Sequence, residues 1–208
     1  MLINLLDNLD LEIPENNIGV LVSGGVDSSL LLYFLLKYSQ NKVHIFSLAS
    51  RNKFSTNIKH SINVIHKCAE LTDNYNFTHH INYAIEQNKT NLFELPKMYL
   101  DKKEIDCCFT GVTKNPPSEV LSNFGSPSTE DDERNPEVVR NVIHRKWHTP
   151  WTNIDKKDLY TLYKKYNLLD TLFPITRSCE SLEQQYLGAH CGTCWWCKER
   201  LWGFGKLV

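Results

Sequence analysis

The sequence predicts an α/β protein built on a doubly wound parallel sheet. Short apolar runs bounded by turn residues alternate with longer amphipathic segments from Met1 to Thr110. Such runs are typical of strands buried on both faces, and the segments between them are the crossover helices that a parallel sheet requires. A cysteine cluster near the end of the sequence predicts a helical, metal-binding appendage on this fold.

Four strands are expected from the apolar runs. The first, Ile18–Val22, is continuous and lies between the turn residues Asn17 and Ser23. The other three are Val43–Leu48, then Thr78–Ala84, in which two histidines interrupt the apolar pattern, and Ile105–Thr110, which ends at Gly111.

Five segments are predicted to be helices, from helical spacing of apolar residues or from a leucine-rich composition. In the first, leucines at positions 2, 5, 6 and 9 share a face, and in the third we expect Ile62, Ile65 and Ala69 to face the core. The five predicted helices are Leu2–Leu11, Ser28–Tyr38, Ile58–Leu71, Leu92–Leu100 and Asp155–Tyr166.

Composition and charge exclude some classes of function. The chain has 208 residues, of which 41% are hydrophobic, enough for one filled core. Its 23 basic and 24 acidic residues give a net charge of −1, which offers no overall attraction for nucleic acid or a membrane. The N-terminal segment carries Asp7, Asp10 and Glu12 and lacks the unbroken apolar stretch of a signal peptide. We therefore expect a cytoplasmic protein, and the sequence leaves a homodimer open.

A glycine turn, Ser23–Ser29, joins the first predicted strand to the next helix; we call it the phosphate loop. Gly24 and Gly25 allow a ligand to approach the main chain, so that amide groups and the helix N-terminus can point at one anion. The serine hydroxyls can donate to phosphate oxygens, and Asp27 can hold Mg²⁺. The alternative is a helix cap that binds nothing. The position after a buried strand and before a long helix favours the phosphate site.

The loop lacks the lysine of the G-x-x-x-x-G-K-[ST] motif, which draws charge from a leaving γ-phosphate, so a kinase or motor-type ATPase is disfavoured. The pattern S-G-G-x-D-S instead resembles that of the PP-loop ATP pyrophosphatases, which have an adenine nucleotide alpha-hydrolase-like fold. The resemblance implies that the loop holds pyrophosphate as a leaving group while a substrate oxygen attacks the α-phosphorus. The residues expected to bind ATP are Ser23, Gly24, Gly25, Val26, Asp27, Ser28, Ser29 and Gly111, and Asp27 is also expected to be catalytic.

The cysteine cluster has the pattern Cys179-x11-Cys191-x2-Cys194-x2-Cys197. Two overlapping C-x-x-C steps bring three sulfurs to one point, and a loop closed at Gly188 and Gly192 can deliver the fourth. Four thiolates complete a tetrahedral zinc site of the structural type. An iron–sulfur cluster and a swap of one ligand for His190 are the alternatives.

Two further features have structural readings beside functional ones. Cys68, Cys107 and Cys108 lie in apolar segments and are interpreted as core residues, with a catalytic thiol as the competing idea. Val112–Glu137 has little periodicity and is expected to close over the site when substrate binds, or else to be a surface loop without a role. Its acidic run, Glu130–Glu133, is interpreted as a solvated face.

The C-terminal part resembles one family within the PP-loop group, the 7-cyano-7-deazaguanine synthases of the queuosine pathway. His148–Phe204 contains, in the family's order, a Thr-Pro pair, a lysine followed by an acidic residue and a helix, a Ser-Cys pair, and the pattern C-G-x-C-x-x-C-x-x-R-x-x-G-F. The matching residues are Thr149-Pro150, Lys156, Asp158, Ser178-Cys179, Cys191, Cys194, Cys197, Arg200 and Gly203-Phe204.

This resemblance implies a ligase with ATP, Mg²⁺ and Zn²⁺ as cofactors and a deazaguanine carboxylate and ammonia as substrates. The carboxylate is adenylated and displaced by ammonia to give an amide; the amide oxygen is then adenylated, and loss of AMP leaves a nitrile. Lys156 would neutralise phosphate or adenylate, unless it is a solvated lysine at a helix start. Residues 1–150 would form the ATP-binding domain and residues 151–208 the zinc-binding region packed on the same core.

Two segments differ from the family's pattern: Leu48–Asn52, where a Tyr-Gly-Gln stretch is expected, and the residues after Gly111, where a Tyr-Pro-Asp-Cys type segment is expected. Both follow strands at the edge where such sheets bind ligands. An amide-forming ligase or a tRNA-thiolation enzyme with another substrate therefore stays open. A zinc-ribbon-like binding module on a catalytically dead domain is disfavoured by the intact phosphate loop.

Overall fold

Seven strands form two sheets in the computed structural model, which describes residues 1–50, 57–84, 89–124, 146–179, 181 and 189–207. The two N-terminal strands form an antiparallel hairpin and the other five a parallel sheet. The strands are β1 (Leu2–Leu6), β2 (Leu9–Glu12), β3 (Ile18–Leu21), β4 (Val43–Ser50), β5 (Phe77–Ala84), β6 (Cys107–Phe109) and β7 (Trp147–His148).

The parallel sheet has the strand order β5-β4-β3-β6-β7. The chain builds outward from β3 in one direction through β4 and β5, and then in the other through β6 and β7. In open α/β sheets, ligands bind at the carboxyl ends of the strands where the order reverses, which here is between β3 and β6. The predicted doubly wound α/β fold is confirmed, and all four predicted strands are present.

Helices connect the strands and follow the last one. Among the described residues, the helices between β3 and β7 are α1 (Val26–Tyr38), α2 (Asn57–Thr72), α3 (Lys89–Asp101) and the short α4 (Ser118–Leu121). Beyond β7 come α5 (Lys156–Lys165), a 3₁₀ turn (Phe173–Ile175) and α6 (Trp195–Phe204). Asp155 begins α5 with a reciprocal capping box to Asp158, which fixes where this helix starts.

Alternate residues of the sheet pack into two different cores. Ile18, Val20 and Ile45 point into a large cluster with α1, α2 and α5, whereas Leu21 and Phe46 point into a smaller cluster with α3. The period of two in a strand places neighbours on opposite faces, so this division shows a sheet covered on both sides. The large cluster also contains residues of the hairpin and of α6, so it joins both parts of the chain. The division at residue 150 stays a prediction.

The N-terminal hairpin corrects the prediction of a helix over Leu2–Leu11. Leu9, Leu11 and Ile13 are buried while Asp10 and Glu12 are exposed, which is the alternation of a strand. The leucine spacing fits a helix. In the structure, however, β1 and β2 bury Leu5, Leu9 and Leu11 in the large cluster and leave Leu2 exposed.

The predicted face of α2 is wrong at one position. Ile65 and Ala69 are buried as expected, but Ile62 is 36% exposed. The buried stripe is centred on Ser61 and Cys68, so Ile62 lies at its flank.

In the part of the chain that the structure describes, no helix has both the length and the apolar character that a membrane crossing needs.

Candidate active site

The phosphate loop makes the turn from β3 into α1. Gly24 has a φ of +86°, in the left-handed region that favours glycine, and a Cβ there would lie 2.8 Å from the His60 backbone of α2. Gly25 is the N-cap of α1 with extended backbone, and a Cβ there would meet nothing nearer than 3.5 Å. The loop is therefore closed on the α2 side, at Gly24, and open at Gly25.

Serine side chains bond within the loop. The hydroxyls of Ser23 and Ser28 lie 3.2 Å apart, and the amide of Gly25 donates to the Ser23 hydroxyl over 3.3 Å. Ser29 donates to the Gly25 carbonyl over 2.6 Å. The Ser23 and Ser28 hydroxyls thus share one side of the turn, while Ser29 is turned back into the helix.

Side chains from distant segments hold the first turn of α1. Trp151 donates its indole N–H to the Asp27 carbonyl at 3.2 Å, and Tyr163 its hydroxyl to the Val26 carbonyl at 2.8 Å. Burial raises the pKa of Tyr163 well above its ordinary value, so it stays a donor. A Cβ on Gly111 would lie 2.9 Å from the Ser28 nitrogen, so only glycine fits against this turn at the end of β6.

Lys156 and Asp27 form an ion pair, although 129 positions separate them. The Lys156 ammonium donates to Asp27 Oδ1 at 2.6 Å and Oδ2 at 2.5 Å, and to the Thr113 hydroxyl at 3.2 Å. The lysine side chain is 3% exposed and that of Asp27 is 27% exposed. Lys156 is thus a buried cation beneath the loop, not a solvated lysine at a helix start.

A second carboxylate contacts this lysine. Glu199 of α6 is fully buried, and its Oε2 lies 3.5 Å from the Lys156 ammonium. Opposite charges so deeply buried stabilise each other only when they stay paired, which holds the three side chains together.

The segment after the 3₁₀ turn forms the wall beside the loop. The Arg177 backbone N–H donates to the Gly24 carbonyl at 2.8 Å.

Burial lowers the pKa of His60 to about 4, and the nearby positive charges of Arg177 and Lys59 add to this effect. His60 is therefore neutral at physiological pH where α2 meets Gly24.

The four cysteines of the C-terminal cluster converge. The sulfurs of Cys179, Cys191, Cys194 and Cys197 all lie within 4.8 Å of one another, and the Cys191 and Cys197 sulfurs are 3.9 Å apart. A tetrahedral zinc ion with Zn–S bonds of about 2.3 Å separates its sulfurs by roughly 3.8 Å, so this set fits zinc. Backbone amides of Cys191 and Cys194 donate to cluster sulfurs at 3.4 and 3.2 Å, as around thiolates.

Other residues near or outside the cluster take structural positions. His190 accepts from the Ser178 amide at 3.4 Å and is not among the converging ligand atoms. Cys68, Cys107 and Cys108 are buried in the cores, as expected, and burial raises the pKa of each thiol.

The structure describes part of each segment that differs from the family's pattern, Leu48–Asn52 and the residues after Gly111. The Lys114 amide donates to the Ile154 carbonyl at 2.9 Å, just before α5, and Lys198 of α6 donates to the Phe124 carbonyl at 3.0 Å, so the two ends of residues 113–124 are placed. Arg51, Asn52, residues 125–137 with the acidic run, and Gly188 lie outside the described residues. Closure of Val112–Glu137 over the site stays a prediction.

Comparison with known proteins bears on this site. The sequence matches the asparagine synthase family over residues 14–97, which include β3, the phosphate loop, α1, β4 and β5. No curated protein sequence matches the chain. One of the solved structures that match is the NH3-dependent NAD synthetase from Campylobacter jejuni subsp. jejuni NCTC 11168 in complex with the nitrate ion, with 13% identity and a TM-score of 0.46. The match covers 75% of this chain and 66% of that enzyme, slightly less than two thirds of its length.

The family match supports the PP-loop ATP pyrophosphatase superfamily. The matched residues include the phosphate loop that the sequence singled out, and this loop begins at the switch point of the sheet. Asp27 is the residue expected to hold Mg²⁺, and its contacts show whether its carboxylate can still accept a metal ion. Each carboxylate oxygen has two lone pairs, so one ammonium contact per oxygen leaves capacity for a metal ion carried by a nucleotide.

Four residues at this site were not singled out from the sequence: Glu199, Thr113, Trp151 and Tyr163. Each is an ordinary residue type in a helix or loop that reaches the site only through the fold. A signal exists for Glu199 alone, because it lies between Cys197 and Arg200 in the C-terminal pattern.

Proposed function

We propose that this protein is an ATP-dependent adenylating enzyme that releases AMP and pyrophosphate. The observation that carries the proposal is the phosphate loop at the switch point with a buried lysine, Lys156, paired to its aspartate. Loop amides and hydroxyls at the N-terminus of α1 suit the pyrophosphate group, since they point fixed dipoles at one anion. The substrate oxygen attacks the α-phosphorus, the bond to the bridging oxygen breaks, and pyrophosphate leaves.

Lys156 is the residue that we propose stabilises the charge developing on the phosphates. An ammonium in a dry environment interacts strongly with an anion, and its fixed position requires little reorganisation during reaction. Asp27 holds it ready in the absence of nucleotide. Asp27 would hold an Mg²⁺ ion carried by ATP through its carboxylate, and Lys156 would then be available to the phosphate oxygens.

We further propose that the substrate is 7-carboxy-7-deazaguanine, converted with ammonia to 7-cyano-7-deazaguanine. The support is the ordered set of residues from Thr149 to Phe204, because Lys156, Arg200 and the four cysteines occupy one connected region. The enzyme would act in the cytoplasm and use two ATP molecules per nitrile.

A second candidate is an amide-forming ligase that stops after the first adenylation. The match to the asparagine synthase family favours it, and that match contains Leu48–Asn52, where the deazaguanine pattern is absent. Such an enzyme would use another carboxylate and one ATP molecule per product.

The first experiment tests the adenylation. The wild-type protein is incubated with ATP, Mg²⁺, ammonium and the deazaguanine carboxylate, and the nucleotides are separated. We expect AMP and pyrophosphate, and Lys156→Met should lower the rate at least about 100-fold, as when one positioned donor is removed. Lys157→Met is the matched control, because the exposed Lys157 lies over the Trp202 ring. Release of ADP without AMP would contradict the proposal.

The second experiment identifies the product by mass spectrometry. A nitrile with two AMP per molecule supports the deazaguanine reaction, whereas an amide with one AMP supports the ligase that stops early. AMP formation with aspartate but not with the deazaguanine carboxylate would reject the proposed substrate and keep the chemistry.

A further inference from the structure

The helix that follows the zinc cysteines contains two buried charges. Cys194 is the N-cap of α6 and Cys197 lies in its first turn, so both ligands belong to the start of this helix. Glu199 and Arg200 come next and are both fully buried. Buried ions are costly unless they are paired, so their partners are informative.

Glu199 leads to one side of the phosphate loop. Its carboxylate lies 3.5 Å from the Lys156 ammonium, which in turn donates to both oxygens of Asp27. A chain of three charged side chains therefore runs from α6 to the first turn of α1.

Arg200 leads to the other side of the loop. Its guanidinium donates to the Thr176 hydroxyl at 2.9 Å, the Ser178 hydroxyl at 3.3 Å and the Phe173 carbonyl at 3.1 Å. Between these residues, the Arg177 amide donates to the Gly24 carbonyl, and the next residue after Ser178 is the cluster ligand Cys179. The same short segment thus contacts the loop, Arg200 and the cysteine cluster.

Close packing makes α6 and α5 move together. A Cβ on Gly203 would overlap with Lys156 Cβ and lie 3.0 Å from its carbonyl carbon. A shift of α6 would therefore displace the backbone of Lys156 as well as the Glu199 contact.

We propose that Glu199 is a positioning residue for Lys156, and that metal binding at the four cysteines raises the affinity of the phosphate loop for ATP through Glu199 and Arg200. The inference rests on the proposed function and adds to it a coupling between two sites. Zinc orders the start of α6, α6 presents Glu199 and Arg200, and these fix both sides of the loop. Coupling between two sites is reciprocal, so ATP raises the affinity for zinc by the same factor.

The test measures ATP binding by calorimetry without the carboxylate substrate, on zinc-loaded Glu199→Gln. We expect the dissociation constant to rise about ten-fold, within the usual range for coupled sites. The sign is informative, because removal of a negative charge alone would tighten the binding of anionic ATP. The control is Glu70→Gln, which removes an exposed partner of Lys67. Equal or tighter ATP binding by Glu199→Gln with full zinc content and an unchanged melting temperature overturns the proposal.

A second measurement does not depend on that variant. The zinc affinity of the wild-type protein is measured by competition with a chromophoric chelator, with and without saturating ATP. We expect ATP to raise the affinity about ten-fold in the wild type and by a smaller factor in Lys156→Met, where the chain of charges through Glu199 is broken and only the contacts of Arg200 remain. Zinc affinity that ATP leaves unchanged overturns the coupling. A zinc-loaded protein that binds no ATP overturns the proposed function as well, whereas AMP formation without coupling overturns this inference alone.

Discussion

Asp27 is both a loop residue and the counterion of a buried lysine. Its carboxylate bonds the Lys156 ammonium with both oxygens, while part of the side chain stays exposed at the loop. A carboxylate on a glycine turn would ordinarily contribute little to stability, and that is what its position in the sequence indicates. The pair with Lys156 changes this expectation, because removal of one partner leaves the other buried without full compensation.

Asp27→Asn should therefore lower stability as well as abolish AMP formation. We expect the free energy of unfolding to fall by about 2 kcal/mol, below the usual cost for a fully buried pair because Glu199 still faces Lys156 and Asp27 is partly exposed. Urea unfolding measures the change. Asp101→Asn is the control, since its pair with Lys97 is on the surface and should contribute about 0.5 kcal/mol or less. Equal stability of the two variants would show that the buried pair adds nothing.

Single residues also show what the sequence could and could not predict. The phosphate loop and the four cysteines were predicted because the chemistry of each lies within a short segment. The pairing of Asp27 with Lys156 could not be predicted by spacing, because the fold brings together residues that are 129 positions apart. Resemblance to a family pointed to Lys156, but it did not supply its partners.

At the contact between α2 and the phosphate loop, His60 makes the stability of the fold depend on pH. His60 lies on α2 where Gly24 has no side chain, and burial lowers its pKa to about 4, with the positive charges of Arg177 and Lys59 adding to the effect. The unfolded state protonates this imidazole near pH 6.5. Between these two values the unfolded state binds more protons, so stability decreases as the pH falls.

We expect the stabilising effect of neutral His60 to be complete above pH 6.5 and to be lost as the pH falls toward 4. Burial lowers the pKa of His44, His79, His80 and His148 too, so the wild type carries their contributions in the same direction. The informative quantity is the difference between variants. His60→Gln should lose less stability between pH 7 and pH 5 than the wild type, as measured by urea unfolding. The exposed His66 of the same helix provides the control. A smaller loss of stability between pH 7 and pH 5 in His66→Gln than in His60→Gln would contradict the assignment of the pH dependence to His60.

Elements differ in how well periodicity predicts them. The helix over Asp155–Tyr166 was predicted from its amphipathic pattern, and the structure adds a capping box at Asp155 that fixes its start. The N-terminal hairpin was wrongly predicted as a helix because the leucines at positions 2, 5, 6 and 9 have helical spacing over a short segment. What decided the outcome was burial of Leu9, Leu11 and Ile13 in the large cluster, a tertiary effect that local spacing does not contain.

Across the whole molecule, one hydrophobic cluster connects the two ends of the chain. It contains Leu5 of the hairpin, Phe34 of α1, Tyr163 of α5 and Phe204 of α6. The cysteine cluster lies at the start of α6, so a metal ion bound there would stabilise an element that belongs to the common core. We therefore expect loss of the metal to weaken the whole fold in one cooperative step and not to release a separate C-terminal unit.

Removal of zinc should lower the melting temperature of the entire protein. The purified protein should hold about one zinc per chain, since a set of four thiolates completes one tetrahedral site. Metal binding energy is folding energy in such sites, and a loss of about 3 kcal/mol corresponds to a fall on the order of 10 °C for a domain of this size. Cys194→Ser should lower zinc content and melting temperature together. Chelation should then lower the melting temperature of this variant no further. Cys107→Ser is the matched control: it alters a buried thiol of the core and should lower stability while leaving zinc content at the wild-type level. Calorimetric scans with metal analysis distinguish the cases, and a wild-type melting temperature that chelation leaves unchanged would contradict the structural role of the metal.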